Sequence, residues 1–82
     1  MLLYFEFEDK RRKAEVTWPK NDENIIVHIT DAEITKALPT DLYFEIDENN
    51  KVSYITEDSK NKRLVELQFV LQKRLQELVR KL

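Results

Sequence analysis

The sequence contains no glycine and no cysteine, and only one histidine, His28. Phosphate-binding loops, the dinucleotide-binding fingerprint, the nucleophile elbow and the calcium loop all place glycine where the backbone takes positive φ or lies against a ligand. Structural zinc sites draw mainly on cysteine and histidine, and a thiol nucleophile needs a cysteine. We therefore expect no such site in its usual form, no metal and no cofactor.

The polar residues that are present do not assemble into a catalytic set. A serine hydrolase would have to combine His28 with Ser53 or Ser59, and no sequence feature supplies the strained turn or the oxyanion pocket. Glu6 and Glu8 share one face of a predicted strand, but acid–base work on a glycoside also needs a larger cleft. The sequence predicts a protein that is not an enzyme.

The chain has a formal net charge of −2. Its length of 82 residues leaves room for one hydrophobic core, which predicts a single domain over residues 1–82. The first nine residues lack a basic region, and carboxylates interrupt them before an apolar run of signal or membrane length develops. We therefore expect a cytoplasmic protein that does not enter a membrane. Frequent Lys, Asn, Ile, Glu and Phe are typical of an AT-rich bacterial genome.

Five segments are predicted to be strands; the first, second and fourth alternate apolar and polar side chains with the period of half-buried strands, and the third has apolar groups on both faces, as expected for a more central strand. They cover residues 3–9, 14–18, 25–29, 42–46 and 52–56. The basic tract at residues 10–13 is predicted to be the loop of a first hairpin, and residues 48–51 the turn of a second. In that second turn, Asn49 and Asn50 are expected to supply the left-handed conformations that glycine usually supplies.

Two helices complete the predicted fold. Thr30 and Glu33 fit a capping box before a short helix that buries Ile34, Ala37 and Leu38. A longer helix is predicted from Ser59, with Thr56 and Asp58 as alternative caps, to the carboxyl terminus. We predict an α+β fold: a five-stranded antiparallel or mixed sheet, a short helix between strands three and four, and a long amphipathic C-terminal helix packed on one face.

Leucines recur at steps of three and four along the long helix and form one stripe, which consists of Leu64, Leu67, Leu71, Leu75, Leu78 and Leu82. The stripe is expected to pack on the sheet. An alternative interpretation takes Leu64, Gln68, Leu71, Leu75, Leu78 and Leu82 as a heptad seam that pairs with a second copy, with Gln68 helping to set the register. In this interpretation, the helix also pairs with the same helix of a second copy.

Some apolar residues lie outside the stripe and outside the inward face of the sheet. Phe69 and Val70 flank the leucine stripe, and Tyr4, Ile26, Tyr43 and Ile55 fall on the outer face of the predicted sheet. One interpretation is ordinary packing and exposure; the other is an interface with a protein partner or a second copy. We expect a protein-interaction or self-association module, with these six residues as the candidate interface and a homodimer as one outcome.

Nucleic-acid binding is the alternative function. Lys10, Arg11, Arg12 and Lys13 form a dense basic tract that offers phosphate contacts, and tyrosines on a sheet can stack bases. The net negative charge and the neighbouring glutamates oppose phosphate binding, and the basic, glycine-containing motif of sheet-type RNA binders is missing. The sequence therefore favours a protein partner over nucleic acid.

Overall fold

The computed structural model describes residues 1–20, 24–55 and 60–81, and it confirms the predicted α+β architecture. The elements are β1 (Leu2–Phe7), β2 (Lys10–Thr17), β3 (Ile25–Ile29), α1 (Ala32–Thr35), β4 (Asp41–Ile46), β5 (Val52–Tyr54) and α2 (Lys62–Lys81). The five strands form one antiparallel sheet in the order β1-β2-β3-β4-β5. Each strand therefore pairs with its neighbour in sequence, and β1 and β5 are the two edges.

The first hairpin differs from the sequence prediction. Its turn consists of Glu8 and Asp9, with φ values of 55° and 60°, and Phe7 lies opposite Lys10 in the register. Positive φ at both central residues is the geometry of a two-residue turn whose twist matches the strands. The basic tract at residues 10–13 is consequently not a loop. It is the first half of β2, and its buried Arg12 continues the inward alternation of that strand.

The second hairpin turns where the sequence predicts, but only one of the two asparagines is left-handed. Asn50 has a φ of 61°, and Asn49 is not among the residues with positive φ in the described part of the chain. The carboxylate of Asp47 accepts hydrogen bonds from the backbone N–H of Asn49, at 2.8 Å, and of Lys51, at 2.9 Å. This Asx-type arrangement holds the turn, so a second left-handed residue is not needed.

The short helix α1 is capped by Asp31 instead of Thr30. The Asp31 carboxylate accepts hydrogen bonds from the N–H groups of Glu33, at 3.0 Å, and Ile34, at 3.3 Å. The Thr30 hydroxyl donates to the Lys13 carbonyl on β2 at 3.0 Å. Because this bond engages Thr30 with the sheet, the neighbouring carboxylate takes the capping position.

Asn61 caps the long helix. Its side-chain oxygen accepts hydrogen bonds from the N–H groups of Arg63, at 3.1 Å, and Leu64, at 3.4 Å. The caps predicted from the sequence, Ser59 with Thr56 and Asp58 as alternatives, lie outside the described residues, as does Leu82.

The core lies between the inward face of the sheet and the leucine stripe of α2. Leu67, Leu71 and Leu75 have no exposed surface, and they pack with the inward side chains of all five strands and with Ile34 and Leu38. Gln68 is also buried. Ala37, predicted to be buried, is exposed. Leu71 and Leu75 belong to the heptad seam, and the sheet covers both of them. They are therefore not available to a second copy, and the heptad interpretation is wrong.

Side chains of α2 form hydrogen bonds with both edge strands of the sheet. On β5, the Gln76 carboxamide oxygen accepts the Val52 N–H at 2.9 Å, and its nitrogen donates to the Asn50 carbonyl at 2.8 Å. On β1, the Arg74 guanidinium donates to the Tyr4 carbonyl at 3.0 Å. An uncovered strand edge invites pairing with another chain. Gln76 therefore takes the place of a neighbouring strand on β5, and Arg74 covers one carbonyl of β1.

We expect Gln76→Ala to lower the free energy of unfolding by about 1–2 kcal/mol, because it leaves the N–H of the fully buried Val52 without a partner. Gln72→Ala is the matched control: Gln72 is on the same helix and makes no hydrogen bond among the described residues. Urea unfolding of both variants measures the difference. Equal losses at the two positions would show that the carboxamide of Gln76 does not stabilise the edge.

Candidate functional site

Phe69 is the most exposed large apolar side chain among the described residues. It lies in the middle of α2 with 59% of its surface accessible, and Val70 beside it is partly buried against the core. A groove of about 690 Å³ extends from Phe69 along the Tyr4 end of β1, and a second of about 520 Å³ extends towards Asp9. Both grooves are bordered by Phe69 and Val70, so Phe69 forms the ridge between them.

The two grooves define one candidate contact surface. We refer to it as the Phe69 surface, and it comprises Tyr4, Glu66, Phe69, Val70 and Lys73. The sequence pattern singled out three of these residues. Glu66 and Lys73 were not predicted, although their spacing of three and four residues from Phe69 places them on the same side of a helix.

Two cations of this region rest on aromatic rings. The Arg11 guanidinium lies 4.4 Å from the centre of the Tyr4 ring, and the Lys73 ammonium lies 6.0 Å from the centre of the Phe69 ring. Neither forms an ion pair with a carboxylate within residues 1–20, 24–55 and 60–81. Both cations are therefore available to an incoming acidic group while their stems cover part of the apolar surface.

The other three candidate residues form a separate group on the outer face of the sheet. Ile26 lies opposite Tyr43 in the register of β3 and β4, and the Ile55 N–H donates to the Tyr43 carbonyl at 3.0 Å. These three residues thus lie next to one another, on β3, on β4 and just beyond the end of β5. Tyr4 is on the edge strand, across β2 from this row, and Lys13 is its partner on β2. The six predicted residues consequently divide into Tyr4, Phe69 and Val70 on one surface and Ile26, Tyr43 and Ile55 on the other.

The four cations of the basic tract do not share a face. Because side chains alternate along a strand, Lys10 and Arg12 point to the core side, and Arg11 and Lys13 point to the outer side. Arg12 is 4% exposed and donates to the Phe7 carbonyl at 3.2 Å. A phosphate-binding surface needs several accessible cations side by side, so this geometry weakens support for the nucleic-acid alternative. Nucleic-acid binding stays a prediction from the sequence.

Arg12 is the centre of a charge cluster at one end of the sheet. The Arg12 cluster comprises Glu8, Lys10, Arg12, Asp31, Glu33 and Arg63. Arg12 reaches the Glu33 carboxylate at 2.9 Å and the Asp31 carboxylate at 3.2 Å, and Arg63 reaches Glu8 at 2.7 Å. The contacts join the first hairpin to the beginnings of α1 and α2. Three cations and three carboxylates pair here, which indicates a structural role.

The cluster shifts the pKa values of its carboxyl groups downward. Hydrogen bonding to Arg63 lowers the pKa of Glu8 below its ordinary value of 4.5. Hydrogen bonds from Arg12 and then Lys10 lower the pKa of Glu33. In the folded state these carboxyls stay ionised at pH values where the unfolded chain takes up protons. Their contribution to stability is therefore present above about pH 4.5 and is lost as the pH falls through the lowered values.

We expect the melting temperature to fall when the pH is lowered from about 6 to about 3, and to fall less steeply in the double variant Glu8→Gln, Glu33→Gln. Thermal unfolding by circular dichroism at several pH values measures both slopes. Glu45→Gln removes an exposed carboxylate that has no ion pair in the described ranges, so its slope is expected to match that of the unmodified protein. A double variant that loses stability as steeply as the unmodified protein would contradict this assignment.

Among the described residues, His28 belongs to no larger polar site, and Ser59 lies outside them. His28 Nδ1 lies 2.7 Å from the Asp41 carboxylate, and both residues are exposed on neighbouring strands. The described residues include no group of three or more histidines or carboxylates arranged to hold a metal ion. None of the described helices is long and apolar enough to cross a membrane. The lack of enzymatic activity stays a prediction from the sequence.

The fold and surface together describe a small α+β domain whose long helix leaves a phenylalanine exposed beside an edge strand. No family model, curated protein or solved structure matches this chain.

Proposed function

We propose that this protein is a non-enzymatic protein-interaction module and that the Phe69 surface is where its partner binds. The observation that carries the proposal is the exposure of Phe69, 59%, at the ridge between two grooves. Burying a whole phenylalanine side chain contributes about 1.5–3 kcal/mol, and aromatic anchors dominate many protein interfaces. Lys73 and Arg11 add the polar rim that such an interface needs.

The Phe69 surface is better suited to a partner than the outer row of Ile26, Tyr43 and Ile55. It is concave on both sides of its anchor, whereas the outer row lies on the face of a sheet and borders no groove among those described. A concave surface excludes water around an anchor side chain, which increases the free energy gained from burial.

The cytoplasmic location predicted from the sequence stays a prediction.

Selection of linear peptides from a random display library tests the proposal, because it samples many partner sequences at once. We expect the protein to enrich peptides whose binding is lost with Phe69→Glu, because an unpaired carboxylate in the interface is costly. Tyr43→Glu introduces the same group at an aromatic residue of the outer face, 48% exposed, and should leave binding unchanged. Failure to enrich any peptide, or equal binding by the Phe69→Glu variant, would overturn the proposal.

A further inference from the structure

The exposed side of α2 carries charges in an order that complements itself. Five exposed residues recur at steps of three and four along the helix and form one stripe. This α2 stripe consists of Lys62, Glu66, Phe69, Lys73 and Glu77. Phe69 is at its middle, with one acidic and one basic residue on each side.

Antiparallel pairing of two such stripes brings opposite charges together. When the two-fold axis passes beside Phe69, Glu66 of one copy faces Lys73 of the other. By the same symmetry, Lys62 faces Glu77. Parallel helices in register would instead place each charged residue opposite its own copy, with like charges in contact. The order of charges therefore selects an antiparallel, two-fold arrangement.

The charges nearest the axis are free to form these contacts. Neither Glu66 nor Lys73 has an ion-pair partner in the part of the chain that the structure describes; Lys73 lies over the Phe69 ring. Glu77 already pairs with Arg74, at 2.8 Å. Glu66 and Lys73 are thus the charged pair on which recognition of a second copy depends.

We propose that the occupant of the Phe69 surface is a second copy of this chain, docked through antiparallel α2 stripes; the inference rests on the proposed function. In this dimer Phe69 packs against the second copy's Phe69 and Val70, and a Glu66–Lys73 pair flanks them on each side. The stripe from Lys62 to Glu77 is only about 22 Å long. Such a narrow contact is at the small end of specific interfaces, so the dimer dissociates in the micromolar range.

Sedimentation equilibrium of the full chain from about 10 µM to about 1 mM measures the dimer directly. We expect Phe69→Glu to weaken association by about 100-fold, since it forces two carboxylates into the apolar centre. Tyr43→Glu is the matched control on the outer face and is expected to leave association unchanged. Circular dichroism spectra and melting temperatures of both variants verify that the fold is intact.

A charge exchange tests the antiparallel register. Lys73→Glu and Glu66→Lys each place two like-charge pairs in the dimer, and each variant alone is expected to associate about tenfold more weakly. An equimolar mixture of the two variants restores two opposite-charge pairs. It is expected to associate within about threefold of the unmodified protein. Lys36→Glu makes the same charge change at the residue that follows α1, where no contact is proposed, and is expected to have no effect.

The outcomes separate the two proposals. If the unmodified protein is monomeric at about 1 mM, or if the mixture fails to recover association, the second copy is not the occupant. If peptides nevertheless bind and Phe69→Glu abolishes that binding, the proposed function stands and the partner is a different protein. Association that responds to Tyr43→Glu but not to Phe69→Glu would place the dimer contact on the outer face and would overturn the inference.

Discussion

Leu71→Ala and Leu75→Ala are each expected to lower the free energy of unfolding by about 2–5 kcal/mol, whereas Lys73→Ala changes it little. Both leucines have no exposed surface and face the sheet from the middle of α2, so each truncation leaves a cavity in the core. Lys73 is exposed on the opposite side of the helix. A small domain has about 5–15 kcal/mol of total stability, so either truncation removes a large share of it.

Urea denaturation followed by Trp18 fluorescence measures these losses, because Trp18 is partly buried against the core. A protein concentration of about 0.2 µM, below the micromolar range in which the proposed dimer dissociates, keeps self-association from contributing to the measured stability. Similar losses at all three positions would show that the rotational phase of α2 on the sheet is wrong. If Leu71→Ala left the free energy of unfolding unchanged, the leucine stripe would not be part of the core.

Arg12→Ala is expected to lower the free energy of unfolding by about 2–4 kcal/mol, and Lys13→Ala to change it by less than about 0.5 kcal/mol. The two residues are neighbours in the same basic tract and differ in their surroundings. Arg12 is 4% exposed and bonds to the Phe7 carbonyl and to the carboxylates of Asp31 and Glu33. Its removal eliminates charged hydrogen bonds and the packing of its stem.

The same urea unfolding experiment compares the two variants. Arg12→Lys is an informative third variant: it keeps the charge but loses the planar guanidinium that contacts two carboxylates and a carbonyl, so most of the loss is expected to remain. Equal stability of the Arg12→Ala and Lys13→Ala variants would contradict a structural role for Arg12. It would instead agree with a solvated basic tract.

Much of the fold was predictable because burial leaves a clear period in the sequence. The alternation of Leu3, Phe5 and Phe7 and the spacing of Leu67, Leu71 and Leu75 reflect one buried face each, and the structure confirms both. Strand order was not predictable, since the same alternation fits several topologies. Which strands pair depends on contacts between different segments of the chain, and the pattern within a single strand does not specify them.

The basic tract shows why local charge misled the prediction. A run of four cations is usually solvated, and residues 10–13 were therefore interpreted as a loop. Arg12 can be buried because it pairs with the carboxylates of Asp31 and Glu33. These partners come from a segment about twenty residues away, so the local sequence does not reveal the pairing. The turn falls at Glu8 and Asp9 instead, where no glycine or asparagine marks it.

The candidate site was predictable in part. Phe69 and Val70 stand out because they are apolar residues of α2 that lie outside the leucine stripe. The grouping of Tyr4 with them required the structure, because only the strand order places β1 at an edge beside α2. The order of charges along the α2 stripe was present in the sequence, but its meaning depends on knowing which side of the helix faces the sheet.

Amide chemical shifts of isotope-labelled protein, recorded on dilution from about 1 mM to about 10 µM, test the pairing of α2 most directly. We expect the shifts that change with concentration to centre on residues 66–73 of α2, while those of Ile26 and Tyr43 stay constant. Changes centred on Ile26, Tyr43 and Ile55, or a spectrum that is constant over the whole range, would contradict the pairing.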